Sequence, residues 1–280
     1  MNLSRILQIA AILLAARAYG GQEPNRFDHT IRAAKTSYET ELLIRNEVGK
    51  GNLDQLLDAY DRAYAKTHEP VFLYGFMRTR EIAWSFDNYY SIGIRVPRFI
   101  HGGIKRDKQI VERVPVECKN DAYALAAYYQ WLMWFRESGM PKPKEKTEKQ
   151  TITVNGRKET MIVHTKVSDP WQDKRFDEIF HEAWKLDPHN PMVLYIASWR
   201  VKGEAQYNYL KQAYDAGGKL LMPERLLDSI VDQAKKLGKT ADVKKYSALL
   251  DAWQAANKGN LWGRIYEFDV DYARKHAVKE

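Results

Sequence analysis

The chain has 280 residues, of which 45% are hydrophobic and 29% are charged, as in an ordinary globular protein. Its 16 glycines and 10 prolines are too few for a disordered or fibrous chain, so composition excludes both classes. The formal net charge of +8 favours acidic proteins, acidic polymers or membrane headgroups as partners.

The first twenty residues have the layout of a secretory signal peptide. Arg5 precedes an apolar run from Ile6 to Ala16, and a small-x-small pattern at residues 16–18 follows it. The apolar run is too short to cross a bilayer; an uncleaved anchor and an ordinary first helix are the alternatives. We therefore expect an exported protein, periplasmic or extracellular, without a transmembrane span in the mature chain and without nucleic acid as a partner.

Cys118 is the only cysteine of the chain, which excludes an internal disulfide. The hydrophobic core must therefore stabilise the exported fold alone. We interpret Cys118 as a small buried apolar residue, with a reactive thiol as the alternative.

Helical periodicity begins close to residue 31, because the next apolar residues recur three or four positions apart. They are Ile31, Ala34, Tyr38 and Leu42. The sequence GKGN ends this helix, and Asn52 is a candidate N-cap for a second amphipathic helix that runs to Tyr64. A third helix is predicted to begin near Pro70, which fits a first helical turn. The segment Ala122–Phe135 is apolar around nearly its whole circumference, which predicts a central core helix.

Residues 92–113 form a basic segment between two helical blocks. The segment carries Arg95, Arg98, Lys105, Arg106, Lys108 and Arg113 against two acidic residues, Asp107 and Glu112. A connection of this length is uncommon in a compact helical fold and is either functional or mobile. We interpret it as a surface for an acidic partner, with candidate partner-binding residues Arg95, Arg98, His101, Lys105 and Arg106. The alternative is a structural insertion that caps one end of the helices.

The middle of the chain predicts a loop followed by a β-hairpin. Residues 141–150 are charged and contain prolines, which favours a solvated loop. Residues 151–164 are rich in β-branched side chains around Asn155-Gly156, a hairpin signal. Apolar residues also alternate over 92–99, which predicts an extended segment that could pair with this hairpin.

The register of the hairpin depends on the length of its loop. A two-residue turn sets Ile152 opposite Glu159, whereas a four-residue loop sets Ile152 opposite Met161. The longer loop keeps apolar residues on opposite strands together, so the sequence favours it.

Six further helices are predicted after residue 173. Their expected ranges are 174–186, 191–202, 204–216, 223–237, 241–257 and 261–276. Glycines follow several of the predicted helix ends, and Pro223 and Thr240 suit helix starts. Short connections force neighbouring helices to be antiparallel, so the sequence predicts a series of αα-hairpins.

One of these connections carries the most specific pattern in the chain. Phe180-x2-Ala183-x4-Pro188 sets a bulky residue, a small residue and a helix-ending proline at a fixed spacing, and Asn190-Pro191 then opens the next helix. This pattern resembles the tetratricopeptide repeat. In that family a small side chain lets two paired helices approach closely.

Weaker copies of the pattern occur elsewhere. Tyr60-x2-Ala63 resembles Phe180-x2-Ala183, and residues 203–218 are similar to Sel1-like repeats. The two better copies lie about 120 residues apart, which excludes a regular array. The resemblance implies an all-α fold, an αα-hairpin solenoid with a small β-hairpin insertion, and a concave surface that binds a protein or peptide; a generic helical bundle is the alternative. The expected parts are a signal peptide (1–20), an N-terminal helical-repeat half with the basic segment 92–113 (21–140), a charged loop with the β-hairpin (141–173) and a C-terminal tetratricopeptide-like half (174–280).

No motif in the sequence names a reaction. The seven histidines have neither HExxH nor HxxxH spacing, and Glu178-x-x-His181 lacks the second such motif that a di-iron site requires. We therefore assign no catalytic residue, no metal ligand and no cofactor. We expect a scaffold, or a neutralising or chaperone-like partner of a secreted protein, whose charge is compatible with envelope association. The alternative function is hydrolysis of a cell-envelope polymer by carboxylates that meet in a groove.

Overall fold

A computed structural model describes residues 27–85, 100–134, 145–154, 157–166 and 170–276, with side chains over 27–83, 106–133 and 174–270. Within these residues the fold is helical, apart from one two-stranded sheet. The first helices are α1 (Phe27–Thr30), α2 (Ser37–Gly49), α3 (Leu53–Thr67), α4 (Pro70–Ser85), α5 (Ile100–Val111), α6 (Val114–Glu117) and α7 (Ala122–Trp134). Strands β1 (Glu145–Val154) and β2 (Arg157–Lys166) follow. The remaining helices are α8 (Pro170–Leu186), α9 (Pro191–Trp199), α10 (Glu204–Ala213), α11 (Lys219–Leu221), α12 (Pro223–Lys236), α13 (Thr240–Asn257) and α14 (Leu261–His276), with a π-helical turn at Tyr214–Gly218.

Three helices are buried along consecutive residues and form the centre of the core. They are α4 from Phe72 to Ala83, α7 from Ala122 to Leu132, and α9 from Pro191 to Ser198. Helices α2, α3 and α5 pack against α4, helices α8 and α9 pack against α7, and α10 packs against α9. A helix that is apolar on all sides needs cover on all sides, so the predicted central position of α7 is confirmed.

Consecutive helices pack as pairs across short connections. Helices α3 and α4 are joined through residues 68–69, α8 and α9 through 187–190, and α12 and α13 through 237–239. The prediction of a helical protein built from packed helix pairs is therefore confirmed.

Some helix ends follow local sequence signals, and others do not. The Asn190 side chain caps α9 by accepting a hydrogen bond from the Met192 N–H at 3.0 Å. Asn52 stands at the N-cap position of α3, but its side chain donates to a Glu47 carboxylate oxygen at 2.7 Å instead. The first turn of α3 therefore lacks the side-chain cap that its sequence predicts.

The predicted C-terminal helices are present, with shifted ends. Helix α9 ends at Trp199 rather than residue 202, and α10 gives way to the π-helical turn at Tyr214. The turn contains Gly217 at a φ of 123°, a conformation that glycine adopts without strain. Helix α10 therefore ends at Ala213, before the predicted end at residue 216, because Gly217-Gly218 follow in the π-helical turn.

The hairpin is longer than predicted and has the other register. Strand β1 begins at Glu145, so the expected loop over 141–150 is wrong for its second half. Ile152 pairs with Glu159 and Gln150 pairs with Met161, so the preference for a four-residue loop is also wrong. The last described pair is Val154 with Arg157, a register that agrees with the sequence preference of Asn-Gly for two-residue hairpin loops rather than with cross-strand apolar pairing.

The second half of the basic segment is helical rather than an irregular connection. Helix α5 covers residues 100–111 and packs against α4 through the buried Asp107 and Val111. The predicted extended structure over 92–99 lies outside the described residues. The helix was missed because Gly102-Gly103 favours a turn in isolation, whereas packing on α4 stabilises a helix.

Helix α2 lies between parts of the chain that are far apart in sequence. It packs against α3, α4 and α7 in the first half and against α11 and α14 in the second half. Of its thirteen residues, Glu39 and Asn46 are exposed, whereas the others are buried or half-buried. The two ends of the described chain therefore meet at α2, whereas an elongated stack of hairpins would keep them apart.

Candidate functional site

The predicted partner-binding residues are only partly visible. Arg95 and Arg98 lie outside the described residues, and His101 and Lys105 lie on α5 with side chains outside the described range. Arg106 is half-exposed, and its guanidinium donates to both carboxylate oxygens of Asp61 on α3, at 2.9 and 2.5 Å. The role of these five residues in partner binding stays a prediction.

Arg106 belongs to a cluster of alternating charges that attaches α5 to α3 and α4. Asp107 is 1% exposed, and one of its carboxylate oxygens lies 3.4 Å from the Nε of Arg80. The Nη2 of Arg80 lies 3.5 Å from a carboxylate oxygen of Asp61. Burial raises the pKa of Asp107, although Arg80 and Arg106 oppose this effect. The guanidiniums of Arg80 and Arg106 also lie 5.1 and 6.0 Å from the Phe76 ring centroid. The cluster therefore fixes the position of α5.

A second charge network is buried between α2, α4 and α7. The Arg78 guanidinium on α4 donates to both carboxylate oxygens of Glu41 on α2, each at 2.8 Å. Arg78 also donates to Glu81 one turn along α4, and Gln130 on α7 donates to the other Glu81 oxygen at 2.7 Å. The Tyr74 hydroxyl completes the network by donating to Glu41 at 2.6 Å. All five side chains are buried.

The network keeps Glu41 ionised inside the protein. Burial alone would raise the pKa of Glu41, but the charge of Arg78 and hydrogen bonds from Arg78 and Tyr74 hold it below the ordinary value. Burial and the charge of Glu41 raise the pKa of the Tyr74 hydroxyl well above its ordinary value. A carboxylate that already accepts three strong hydrogen bonds is a positioning group rather than a free general base. Its evident effect is to fix α2 against α4.

The N-terminal end of α2 makes polar and aromatic contacts. The Ser37 hydroxyl donates to an Asp121 carboxylate oxygen at 2.6 Å. The Tyr38 and Tyr123 rings pack edge to face, with centroids 6.2 Å apart. Gly217 lies against Tyr38 so closely that a Cβ there would be 3.0 Å from the Tyr38 hydroxyl oxygen. The start of α2 therefore contacts both α7 and the π-helical turn.

The C-terminal end of α2 contacts the last third of the chain. The Arg45 guanidinium donates to both carboxylate oxygens of Glu224, one of them at 3.2 Å. It also lies 4.9 Å from the Trp262 ring centroid, and the Trp262 indole N–H donates to the Arg45 carbonyl at 2.8 Å. We call the side chains that surround α2 the α2 cradle: Tyr74, Arg78, Asp121, Tyr123, Glu224 and Trp262.

One signal of this network is visible in the sequence. Arg78, Arg80 and Glu81 interrupt the otherwise apolar helix from Pro70 to Ser85. Charged residues in a fully buried helix require partners on neighbouring helices. The pattern therefore predicts buried ion pairs, but it does not name the partners.

The described residues contain no group of three or more His, Cys, Asp or Glu side chains that could hold a metal ion. In the same part of the chain, no helix is long and apolar enough to cross a membrane. Cys118 is 3% exposed, and burial raises the pKa of its thiol to about 12. Its interpretation as a buried residue is confirmed.

A comparison of the chain with protein-family models, with curated proteins and with solved structures finds no match. The fold alone therefore defines the class of this protein. The described residues form a helical protein of packed helix pairs with buried charges around α2.

Proposed function

We propose that this protein is exported and binds a protein or peptide partner, preferably an acidic one, without a cofactor. In this proposal the packed pairs are tetratricopeptide-like hairpins in a stack that α2 closes through its contacts with α11 and α14, and the basic segment 92–113 forms its partner-binding edge. The observation that carries the proposal is the attachment of α5, which contains three of the five candidate positions: His101, Lys105 and Arg106.

A fixed helix suits partner binding for two physical reasons. Residues held at constant spacing lose little conformational entropy when a partner associates. His101 and Lys105 are four residues apart in α5, so their positions lie on the same face of the helix. Basic residues on such a face would increase the association rate and the specificity for an acidic surface.

The test reverses three charges of the basic segment and leaves Arg106, which belongs to the cluster that fixes α5, unchanged. The full chain carrying Arg95→Glu, Arg98→Glu and Lys105→Glu is used to capture partners from the exported fraction. We expect at least about a tenfold loss of captured partner relative to wild type, because the charges that steer association are reversed. Lys185→Glu, on the exposed face of α8, is the matched control and should leave capture unchanged. Equal capture by both variants would remove the basic segment from the site.

Arg106 needs separate treatment because it is part of the cluster that fixes α5. Arg106→Glu would set three carboxylates together, since Asp61 and Asp107 already contact this position. We expect this variant to lower the melting temperature, whereas Lys105→Glu should not. Equal melting temperatures would show that Arg106 is free for partner binding alone.

Hydrolysis of an envelope polymer has weaker support. The buried carboxylates Glu41 and Glu81 are engaged by Arg78, Tyr74 and Gln130, which supports a positioning role. A neutralising or chaperone-like role differs from a scaffold in stoichiometry. A one-to-one complex with a single secreted protein would favour the neutralising or chaperone-like role. Recovery of the chain in the cytosol would contradict the proposal that the protein is exported.

A further inference from the structure

Helix α2 contacts its surroundings through polar groups as well as through apolar ones, which include the fully buried Ile44 and Val48. Three of its five buried residues are polar: Ser37, Thr40 and Glu41. The next helix, α3, buries apolar and aromatic residues only. An element of the ordinary core is held mainly by apolar area, whereas a bound ligand is oriented by a few well-placed polar contacts. The polar contacts of α2 resemble those that orient a ligand, whereas Ile44 and Val48 pack in the core.

The polar contacts follow one line along the helix. Ser37, Glu41 and Arg45 are spaced four residues apart, so they lie on the same face. Their partners in the α2 cradle are Asp121 directly before α7, Arg78 on α4 and Glu224 on α12. The cradle therefore presents a negative, a positive and a negative group in that order, which complements a hydroxyl, a carboxylate and a cation on the helix.

Short connections join α2 to the rest of the chain at both ends. Residues 31–36, which include the buried Ile31 and Ala34, join it to α1, and Lys50–Asn52 join it to α3, with Gly51 at a φ of 86°. A glycine in this conformation is a suitable hinge, because it can change its backbone angles without the strain that other residues meet.

We propose that the α2 cradle is a helix-binding site that α2 occupies in cis, and that the partner replaces α2 with a helix of the same polar pattern. The partner helix carries a hydroxyl or other donor, a carboxylate and a cation at positions i, i+4 and i+8. This inference rests on the proposed function and specifies its partner. Because α2 is tethered beside its site, its high effective concentration keeps the cradle closed until a matching helix competes.

The test uses charge repulsion to displace α2 from its cradle. In the full chain carrying Glu41→Arg, the new cation faces Arg78, so α2 is repelled while the cradle is unchanged. A fluorescent peptide of residues 35–50 with the natural sequence is titrated into this variant and into wild type, and anisotropy is recorded. We expect the variant to bind the peptide at least about tenfold more tightly, because the competing helix has left.

The reciprocal variants supply matched controls. Arg78→Glu should bind the peptide that carries Glu41→Arg and should reject the natural peptide, because the cradle charge is reversed. The double variant Glu41→Arg/Arg78→Glu restores the pair in cis, and should bind both peptides no better than wild type does. This pattern would identify the Glu41–Arg78 contact as the selecting interaction.

Two results would overturn the inference. One is a folded Glu41→Arg variant, with native circular dichroism and a cooperative melt, that does not bind the natural peptide. If that variant does not fold, Arg45→Glu alone repeats the design at the C-terminal end of α2, and Glu224→Arg is its reciprocal variant. Failure of peptide exchange there as well would make α2 a permanent part of the core.

The peptide assay tests the α2 cradle and the capture assay tests the basic segment, so each proposal can be rejected without the other. Loss of capture on reversal of the basic segment, without peptide exchange, would retain the proposed function and reject the cradle as its site. Peptide exchange with unchanged capture would support the cradle and reject the basic segment.

Discussion

Removing the cation of the buried network should strongly destabilise the protein. Arg78→Met replaces the guanidinium by an apolar side chain of similar length and leaves Glu41 and Glu81 buried without it. Breaking a buried ion pair from one side costs about 3–5 kcal/mol, because the remaining charge stays desolvated. At about 2–4 °C per kcal/mol for a chain of this size, the melting temperature should fall by about 6–20 °C.

Urea denaturation followed by tryptophan fluorescence and circular dichroism measures this cost. Arg62→Met is the matched control, because its partners Asp28 and Asp58 are 31% and 33% exposed, and it should cost about 0.2–1 kcal/mol. Adding Glu41→Gln and Glu81→Gln to Arg78→Met should recover part of the loss by removing both charges. An Arg78→Met cost below about 1 kcal/mol, or equal costs for the two methionine variants, would refute the argument that the network is desolvated and coupled.

Three further predictions concern the surroundings of the network. Since the pKa of Glu41 is lowered in the folded protein, its stabilisation should be lost as the pH falls below the ordinary value of 4.5, and Glu41→Gln should show a flatter stability profile between about pH 5 and pH 3. Gly75→Ala would overlap the buried Tyr60 ring and should cost about 1–3 kcal/mol, whereas Gly259→Ala meets no atom within 4 Å and should stay within about 0.5 kcal/mol in the same urea assay. Trp262→Phe removes the indole hydrogen bond to α2 and should cost about 1 kcal/mol of unfolding free energy; no change would show that the last helix is not attached there.

The sequence predicts the helices well wherever one face is apolar or a local cap is present. The break between α8 and α9 follows from Pro188 and from Asn190-Pro191, which act within a few residues of themselves. Helix α5 and the first half of β1 were missed, because glycines, prolines and charges dominate their local patterns while tertiary pairing decides their structure.

The charge network could be predicted only in part. Three charged residues within the apolar helix α4 indicate buried ion pairs, but Glu41 is 37 positions from Arg78 and Arg45 is 179 positions from Glu224. Periodicity assigns a residue to a helix face and gives no information about which distant helix covers that face. The position of α2 therefore had to come from the structure.

The claim that α2 joins the two ends of the described chain is tested most directly by a double-mutant cycle between Arg45 and Glu224. Arg45→Met, Glu224→Gln and the double variant are compared by urea denaturation, and the coupling energy is taken from the three differences. We expect a coupling of about 0.5–3 kcal/mol, since the two side chains are in direct contact and mostly buried. If the unfolding costs of the two single variants sum to the cost of the double variant within about 0.3 kcal/mol, the claim is contradicted, because residues that do not touch give independent effects.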